Sequence, residues 1–469
     1  MTDLNSALLV IGGGPGGYVC AIRAGQLGID TILVEADALG GTCLNVGCIP
    51  SKALIHVAEK FHDLHAAANG SAIGLSVSGV DLDFAKSAAW RDGIVGRLNR
   101  GVASLLKKSG VRVVKGRARF LDGKTVTVEG DGEPFRIHAD NVVIATGSAP
   151  VELPSLPFGG PVLSSTGALA LRHVPETLAV VGGGYIGLEL GTAFAKLGSR
   201  VTIVEAADRV LPQYDTALVK PVVDRLKALG VKIVTSTTAR LGQDPGAADE
   251  RAELVLTSQD GGTERLEVSR VLVTVGRRPR VDAIGIAELG LDRAELFIAI
   301  DEHCRTSMRG VYAIGDVTGE PMLAHRAMAQ GVLVAEILAG RKRHWDNRAI
   351  PAICFTDPEI VSVGLSPEQA KEAGLSVKVS TFPLAANGRA MTREREDGFV
   401  RLLSVAESGE IVGIQAVGHE VSELSAAFSL ALEMGSTAED IAATIHAHPT
   451  QGEAFQEAAL AALGAGLHF

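Results

Sequence analysis

The chain has 469 residues, a length that suits about three domains, each with its own hydrophobic core. Lysine and arginine number 44 against 54 aspartates and glutamates, which gives a net charge of −10, and aromatic residues make up only 4%. Such a chain lacks the cationic patches and stacking platforms of general nucleic-acid binders. It has no uninterrupted apolar run of about 18 residues and no basic, signal-like N-terminus, so we predict a soluble, cytoplasmic protein.

Residues 7–35 predict a strand, a glycine-rich loop, a helix and a second strand. The loop carries the dinucleotide fingerprint GxGxxG, whose spaced glycines are Gly12, Gly14 and Gly17. The first two allow backbone donors to approach a pyrophosphate, and the third allows the helix to pack closely on the strand. Glu35 ends the second strand, 18 residues after Gly17, where a carboxylate can bind ribose hydroxyls. This pattern predicts a dinucleotide site.

Two cysteines, Cys43 and Cys48, lie directly after this pattern, in a segment (43–68) that otherwise predicts a long helix. A regular helix would hold residues five apart at roughly 8 Å between Cα atoms, whereas a disulfide needs less than about 7 Å. A bridge therefore requires a distorted segment, which Gly47 and Pro50 can supply. A disulfide in an irregular segment beside a redox cofactor is more typical of catalysis than of structural support. The other cysteines are predicted to be buried and inert: Cys20, Cys304 and Cys354.

A second β-α-β pattern over residues 178–205 repeats the first, with the spaced glycines Gly182, Gly184 and Gly187 and a closing Glu205. Two such patterns indicate that one chain binds two dinucleotides. The second acid also bears on the choice of cofactor. A carboxylate accepts hydrogen bonds from a ribose 2′-hydroxyl and repels a 2′-phosphate, so Glu205 favours NAD over NADP.

From about residue 350 the pattern changes to turn-rich strands, followed by predicted helices over 421–434, 437–445 and 452–463. This arrangement predicts a separate C-terminal domain of mixed strands and helices. The predicted fold class is therefore α/β, with two Rossmann-like dinucleotide-binding domains and a C-terminal α+β domain.

Glu189 and His448 have two interpretations each on the residues alone. Glu189 lies within an apolar stretch, either on an exposed helix face or as the charge partner of Lys52. Glu453 follows His448 by five residues, after a proline that suits entry into a helix. Alone, the histidine would be a capping or structural residue. Beside a catalytic disulfide the pair favours a general base, because thiol chemistry needs proton transfer near neutral pH.

Together these motifs resemble the pyridine nucleotide-disulfide oxidoreductases, and within that family the enzymes that oxidise dihydrolipoamide with NAD⁺. The resemblance covers essentially the whole chain and is carried by segments 41–52, 145–148, 182–191, 276–279, 312–316, 322–325 and 446–453. It implies an FAD domain (1–148), an NAD domain (149–276), a central domain (277–348) and an interface domain for dimerisation (349–469). It further implies a homodimer and, as partner, the lipoyl-bearing acyltransferase of a 2-oxo acid dehydrogenase complex.

The resemblance also implies FAD and NAD as cofactors, together with the residues that hold them. For FAD these are Gly12, Gly14, Gly17, Glu35, Gly41, Thr42, Lys52, Gly116, Thr146, Gly147, Ser148, Asp316, Met322, Leu323, Ala324 and His325. For NAD these are Gly182, Gly184, Tyr185, Ile186, Gly187, Glu189, Glu205 and Gly276. The implied catalytic residues are Cys43, Cys48, His448, Glu453, Lys52 and Glu189.

In the implied mechanism, His448 is oriented by Glu453 and acts on the other subunit. It takes a proton from dihydrolipoamide, whose thiolate attacks Cys43, and Cys48 passes the electrons on. A pair of Lys52 and Glu189 would tune the flavin, and no metal is implied.

Three other functions are weighed against this one. Glu205 opposes an NADPH-dependent reductase of a small disulfide such as glutathione disulfide, and a soluble transhydrogenase should lack the paired cysteines. A docking role on an acyltransferase core is compatible with catalysis.

Overall fold

The computed structural model describes residues 3–70, 73–130, 132–243, 251–281 and 284–468. Helices occupy α1 (Pro15–Gln26), α2 (Gly41–Val46), α3 (Cys48–Ala68), α4 (Phe84–Lys108), α5 (Ser165–Ala170), α6 (Tyr185–Lys196), α7 (Thr216–Ala228), α8 (Ala324–Leu338), α9 (Pro367–Glu372), α10 (Gly388–Met391), α11 (Ser425–Glu433), α12 (Ala438–Ala443) and α13 (Glu453–Ala462). Short 3₁₀ turns occupy Ala287–Leu289, Gly315–Thr318, Leu384–Ala386 and Val421–Leu424.

Strands occupy β1 (Asp3–Ile11), β2 (Thr31–Glu35), β3 (Arg112–Lys115), β4 (Arg117–Asp122), β5 (Thr125–Glu129), β6 (Phe135–Ile144), β7 (Ser148–Pro150), β8 (Val162–Leu163), β9 (Thr177–Val181), β10 (Arg200–Val204), β11 (Lys232–Val234), β12 (Thr237–Leu241), β13 (Ala252–Ser258), β14 (Thr263–Val268), β15 (Arg270–Val273), β16 (Arg277–Pro279), β17 (Arg293–Ala294), β18 (Phe297–Ile298), β19 (Val311–Ala313), β20 (Ala352–Cys354), β21 (Glu359–Gly364), β22 (Val377–Pro383), β23 (Phe399–Val405) and β24 (Ile411–Gly418).

The chain forms two compact units, each assembled from separate stretches of sequence. The first unit contains Met1–Leu153, Leu163–His173 and Val275–Asp346. The second unit contains Pro154–Val162, Val174–Thr274 and Asn347–Phe469. The finer division into four domains, with boundaries at 148, 276 and 348, stays a prediction.

A parallel sheet in the order β3-β2-β1-β6 lies at the centre of the first unit, and β19 pairs with the C-terminal end of β6. Alternate residues of β1 enter different cores. Leu8 and Val10 belong to one core and Leu9 and Ile11 to the other, and none is more than 3% exposed. Because both faces are covered, the strand has the continuous apolar sequence typical of a parallel sheet. Strands β5 and β4 extend the sheet from β6 in antiparallel order.

Helices α1 and α8 pack closely against each other in one of these cores because small residues line their contact. A Cβ added to Gly331 would lie 2.5 Å from the carbonyl oxygen of Gly16, and a Cβ added to Gly16 would lie 3.1 Å from that of Ala327. Gly331 lies near the middle of α8, whereas the contact between Gly16 and Ala327 joins the first turn of α1 to the first turn of α8. Two helix N-termini, which attract anions, therefore lie close together in the first unit.

The second unit contains a smaller parallel sheet in the order β11-β10-β9-β15, with α6 and α7 packed against it. Strand β9, helix α6 and strand β10 have the same order as β1, α1 and β2. The repeat predicted over 178–205 is therefore present as two parallel strands joined by a helix. Strands β12, β13 and β14 form an antiparallel sheet of their own.

The C-terminal part of the second unit is an antiparallel sheet in the order β20-β21-β24-β23-β22, covered by α11 and α13. The rings of Phe428 and Phe455 meet edge to face in its core, with centroids 5.0 Å apart. The helices predicted over 437–445 and 452–463 occur as α12 and α13. The helix predicted over 421–434 begins as a 3₁₀ turn and continues as α11.

The predicted single helix over 43–68 is wrong in one respect, because it is divided into α2 and α3 at Gly47. Gly47 has φ −140° and ψ −108°, a conformation outside the helical region. Pro50 lies in the first turn of α3, where a missing N–H costs no helical hydrogen bond. Within the described stretches, none of the helices combines the length and the apolar character needed to cross a membrane.

Candidate active site

The two cysteines with redox spacing lie on either side of the helix break. Cys43 is in α2, and Cys48 is the first residue of α3. The non-helical Gly47 lets their side chains meet, and the thiols are hydrogen-bonded to each other. The distortion that the sequence predicts at Gly47 is therefore present and brings the pair together.

The two thiols differ in their readiness to ionise. The hydrogen bond with Cys48, together with burial, raises the pKa of Cys43 far above its usual value, although Lys52 opposes this rise. Cys48 is exposed and lies at the N-terminus of a 21-residue helix, where the helix dipole favours a thiolate. In the dithiol, Cys43 therefore keeps its proton, and Cys48 is the more accessible sulfur.

The first glycine loop forms a bare backbone surface in front of α1. A Cβ on Gly12 would lie 2.3 Å from the carbonyl oxygen of Ala145, and a Cβ on Gly17 would lie 1.8 Å from that of Gly12. Gly14 precedes α1 and offers no side-chain cap, so the first N–H groups of the helix are available to an anion. Glu35 accepts hydrogen bonds from the backbone N–H of Gly13 at 2.6 Å and of Asp37 at 2.8 Å.

Two further glycines predicted to contact FAD lie beside this loop. A Cβ on Gly41 would lie 2.6 Å from the Cα of Gly14, so the backbone entering α2 touches the glycine loop. The backbone N–H of Gly116 donates to the carbonyl oxygen of Glu35 at 2.9 Å. Thr42 is in the first turn of α2, and Lys52 is in the second turn of α3.

Ser148 and Asp316 form the polar centre of another predicted FAD region. The Ser148 hydroxyl donates to Asp316 Oδ2 at 2.5 Å and accepts from Arg277 Nε at 2.8 Å. Arg277 was not predicted from the sequence, although it lies within a segment that carries the resemblance. Ser148 is only 2% exposed, so its observed role is to hold Asp316 and Arg277.

Four predicted FAD residues lie where α8 begins, and two lie in the turn that follows β6. Leu323 caps α8, Ala324 and His325 form its first residues, and Met322 precedes them. Thr146 donates its hydroxyl to the carbonyl oxygen of Arg280 at 2.9 Å, and Gly147 is next to it. The helix start faces the same small-residue contact that joins α8 to α1.

The second glycine loop repeats the geometry of the first. Glu205 accepts hydrogen bonds from the backbone N–H of Gly183 at 2.6 Å and of Ala207 at 2.7 Å, as Glu35 does in the first unit. A Cβ on Gly187 would lie 2.2 Å from the carbonyl oxygen of Gly182, which explains the third glycine of the fingerprint. Gly184 precedes α6, and Tyr185 and Ile186 are its first residues. Gly276, also predicted to bind NAD, belongs to the first unit.

Glu189 is buried, at 4% exposure, so its interpretation as part of an exposed helix face is wrong. Its Oε1 accepts a hydrogen bond from the backbone N–H of Phe355 at 2.9 Å, from a segment 166 residues away. Burial, with Cys354, Glu189 and Tyr185 nearby, raises the pKa of Tyr214 well above its usual value. No local sequence pattern indicated Phe355 or Tyr214. The pairing of Lys52 with Glu189 stays a prediction.

His448 and Glu453 form the predicted pair at the start of α13. The distance from His448 Nδ1 to Glu453 Oε1 is 2.8 Å, and the other carboxylate oxygen accepts from the backbone N–H of Thr450 at 2.7 Å. Burial tends to raise the pKa of Glu453, but the Thr450 N–H and the His448 ring outweigh it and hold the pKa below its usual value. The carboxylate is therefore ionised at neutral pH and orients an imidazole that is 81% exposed.

Family models match both parts of the chain. The pyridine nucleotide-disulphide oxidoreductase model matches residues 6–331, and the dimerisation domain of the same family matches residues 350–459. The chain belongs to the pyridine nucleotide-disulphide oxidoreductase family. The predicted fold class and family are confirmed, and the C-terminal antiparallel sheet with its helices is the family's dimerisation domain.

Relatives within the family match along their whole length. A dihydrolipoyl dehydrogenase from Pseudomonas aeruginosa is 57% identical over 468 residues and one from Geobacillus stearothermophilus is 45% identical, each alignment covering at least 98% of both chains. Among solved structures, LpdA from Mycobacterium tuberculosis has a TM-score of 0.87 at 27% identity and covers 98% of this chain and 99% of its own. The flavoprotein disulfide reductase RclA from Escherichia coli, as a Cu(II) complex of its C43S mutant, has a TM-score of 0.85 at 26% identity, covering 97% and 99%.

The family uses FAD and NAD(H), and the residues of this chain suit both. Each glycine loop exposes backbone donors at the start of a helix without a side-chain cap, as a pyrophosphate requires. Each loop is followed by a carboxylate whose position is fixed by two backbone N–H groups. Side chains at the third glycines would collide with the loops, so both cradles depend on glycine.

Proposed function

We propose that this chain oxidises protein-bound dihydrolipoamide to lipoamide with NAD⁺, as the terminal dehydrogenase of a cytoplasmic 2-oxo acid dehydrogenase complex. One observation carries the proposal. The Cys43–Cys48 dithiol lies at a helix break, in a chain 44–57% identical over nearly its whole length to dihydrolipoyl dehydrogenases. A dithiol that differs in acidity between its two sulfurs is suited to exchange with a small dithiol substrate.

The first step is thiol–disulfide exchange with the oxidised Cys43–Cys48 pair. Since Glu453 accepts the Nδ1 proton of His448, Nε2 is the atom that takes a proton from a substrate thiol. The substrate thiolate bonds to Cys43 and breaks the bond between the two cysteines, which leaves Cys48 as a thiolate. The second substrate sulfur then displaces Cys43, lipoamide leaves, and Cys43 takes up a proton.

The second step returns the cysteines to the disulfide. The two-electron transfer from the dithiol to NAD⁺ is the chemistry that FAD supplies when it is bound. Cys48 contributes as the ionised sulfur, and the proton held by Cys43 is released when the disulfide forms again. Glu205 selects NAD⁺, since its carboxylate receives a ribose 2′-hydroxyl and repels a 2′-phosphate.

Assembly completes the proposed site. In a homodimer built through the dimerisation domain, His448 and Glu453 of one subunit would serve the cysteines of the other. Exposed apolar side chains on that domain support such a contact, among them Ile445 at 95%, Met434 at 73% and Leu430 at 63% exposure. The proposed partner that delivers the substrate is the lipoyl-bearing acyltransferase of the complex.

The test is an anaerobic reaction of the purified holoenzyme with dihydrolipoamide, followed by NAD⁺ or NADP⁺, with nicotinamide reduction followed by absorbance. We expect fast reduction of NAD⁺ alone. Failure with dihydrolipoamide, combined with NADPH-dependent reduction of glutathione disulfide, would contradict both the substrate and the cofactor.

A Cys43→Ser dimer separates catalysis from assembly. It should bind the acyltransferase core while turning over no dihydrolipoamide, because docking does not need the disulfide. Loss of docking with an intact dimer would show that the dithiol region takes part in assembly.

A further inference from the structure

A short loop of the second unit, residues 355–358 between β20 and β21, reaches the buried Glu189. The backbone N–H of Phe355 donates to Glu189 Oε1 at 2.9 Å, and Glu189 lies on α6, the helix that follows the second glycine loop. Within the same loop the Thr356 hydroxyl donates to the carbonyl oxygen of Pro358 at 2.7 Å. The direction of the Phe355 N–H therefore depends on how this loop is held.

Asp357 holds the loop with one carboxylate and three cations. Asp357 Oδ2 lies 2.8 Å from Lys196 Nζ and 2.9 Å from Arg225 Nε, and Oδ1 contacts Arg395. Asp357 and Lys196 are each 7% exposed. Burial by itself would raise the pKa of Asp357, but Lys196, Arg395 and Arg225 outweigh it and hold the pKa well below its usual value. The group is therefore an ionised carboxylate with strong charge-assisted hydrogen bonds.

The loop is joined to α6 at two points. Lys196 follows Glu189 by seven residues, which places both side chains on one face of the helix about two turns apart. Phe355 binds the first and Asp357 binds the second, so the segment between them runs alongside α6 with both ends fixed. Asp357 also pairs with Arg225 on α7 and with Arg395, so its position does not depend on Lys196 alone.

A gain in folding stability does not by itself explain why Asp357 is buried among three cations. A buried ion pair is often no more stabilising than apolar residues of similar volume, and its best-attested use is to fix one conformation among several. Here the fixed conformation of the loop directs the Phe355 N–H toward Glu189, which belongs to the proposed flavin-tuning pair.

We propose that Asp357 is a positioning residue, which fixes Glu189 through the Phe355 N–H in the orientation that the chemistry requires. The inference rests on the proposed function only through the role of Glu189. It predicts that loosening Asp357 changes the behaviour of Glu189 in particular, in addition to any general loss of stability.

The structural test compares Asp357→Asn with the matched control Asp215→Asn in the holoenzyme. The Asp215 carboxylate also pairs with a buried arginine of the second unit, Arg401, at 3.1 Å, and its other oxygen accepts from the backbone N–H of Ala217 at the start of α7. Hydrogen exchange of the Phe355 amide should speed up about tenfold in Asp357→Asn and stay unchanged in Asp215→Asn, because loss of the clamp opens this segment locally. Equal exchange in both variants would overturn the inference.

The functional test is a double-variant cycle with Glu189→Gln, which keeps the shape of the side chain and removes its charge. The readout is the rate of flavin reduction by NADH, which does not involve the lipoyl substrate. If Asp357 acts through Glu189, each single variant slows this rate, and the double variant is no slower than Glu189→Gln. Asp215→Asn combined with Glu189→Gln should instead multiply their separate effects.

Each outcome decides a different claim. Multiplicative effects of Asp357→Asn and Glu189→Gln would overturn the positioning role, even if the wild type oxidises dihydrolipoamide. A wild type inactive on dihydrolipoamide would overturn the proposed function and leave a positive cycle valid. If Asp357→Asn loses FAD or unfolds, Asp357→Glu, which keeps the charge and lengthens the side chain, takes its place in both tests with the same expected pattern.

Discussion

At the scale of single residues, His448 shows how neighbours prepare a side chain for proton transfer. His448→Gln should leave FAD content unchanged and lower dihydrolipoamide oxidation by about 10²- to 10⁴-fold, because the general base is lost. The matched control is His446→Gln in the same segment, whose ring contacts the Thr444 carbonyl oxygen and the Phe455 ring. Steady-state turnover measures both, and near-normal turnover of His448→Gln would refute the assignment.

The cysteines should differ sharply in reactivity. Burial raises the pKa of both Cys20 and Cys304 to about 12, so neither forms appreciable thiolate near neutral pH. After reduction, alkylation near pH 8 should modify the exposed Cys48 first and leave Cys20 and Cys304 intact until the protein unfolds. Peptide mass spectrometry over time provides the measurement, and early labelling of Cys20 would contradict it.

Site residues could be predicted where the chemistry is local in sequence. Cys43 and Cys48 are five residues apart, as are His448 and Glu453, so a short segment contains both members of each pair. Glu189 could not be resolved in this way. Its burial and its bond to Phe355 depend on a loop 166 residues away, and a single amino-acid sequence contains no local pattern for such a contact.

At the scale of elements, the third glycine of each fingerprint sets how a helix follows its strand. Gly187→Ala would place a Cβ 2.2 Å from the Gly182 carbonyl oxygen and 2.6 Å from Thr274 Oγ1, so α6 must shift. We expect about a 10²-fold fall in kcat/KM for NAD⁺, with FAD retained, because a displacement near 1 Å can cost that much.

The matched control for this prediction is Gly191→Ala, on the same helix. Its Cβ would meet only Val180 and Val201, at 3.4 and 3.7 Å, and alanine favours the helix. Stopped-flow oxidation of the reduced enzyme by NAD⁺ compares the two. Similar losses in both variants would refute the close-approach argument.

The order of strand, loop and helix could be predicted because, in both β-α-β patterns, an apolar strand is followed directly by the spaced glycines of the fingerprint. The helices α4 and α8 were not predicted, for two physical reasons. Helix α4 leaves Trp90, Leu98 and Leu105 exposed, so its apolar and polar faces are hard to tell apart in the sequence. Helix α8 contains Gly331, which its packing on α1 requires but which lowers the helical signal. Long-range packing, rather than local propensity, explains both.

At the scale of the whole molecule, the net charge of −10 predicts that electrostatic attraction contributes to binding of the proposed partner. We expect the acidic surface to bind a basic segment of the acyltransferase, since opposite charges favour association. Affinity for the core should fall steadily as sodium chloride rises from about 0.05 to 0.5 M, because salt screens exposed pairs. Calorimetry with FAD content and dimer state checked at each salt concentration measures this, and an affinity independent of salt would contradict it.

The two compact units could not be predicted from sequence order alone. Ionic contacts bind the second unit together across long separations, as between Arg225 and Asp357 or between Arg401 and Asp215. The sequence places these residues in stretches with no common motif. It predicted the number of dinucleotide-binding motifs, because a repeat is visible without knowing the contacts.

The hydrogen bonds of Glu205 have a consequence for the evolution of coenzyme preference. Its carboxylate accepts from the Gly183 and Ala207 N–H groups, so the side chain that we propose discriminates between coenzymes also holds its own loop in shape. A change that admits a 2′-phosphate by removing this carboxylate also leaves two backbone donors without their acceptor. We therefore expect a change to NADP to need a new acceptor for those donors along with a cation for the phosphate. Coenzyme choice is in this sense a property of the whole loop, and we expect that a single substitution of Glu205 does not change it from NAD to NADP.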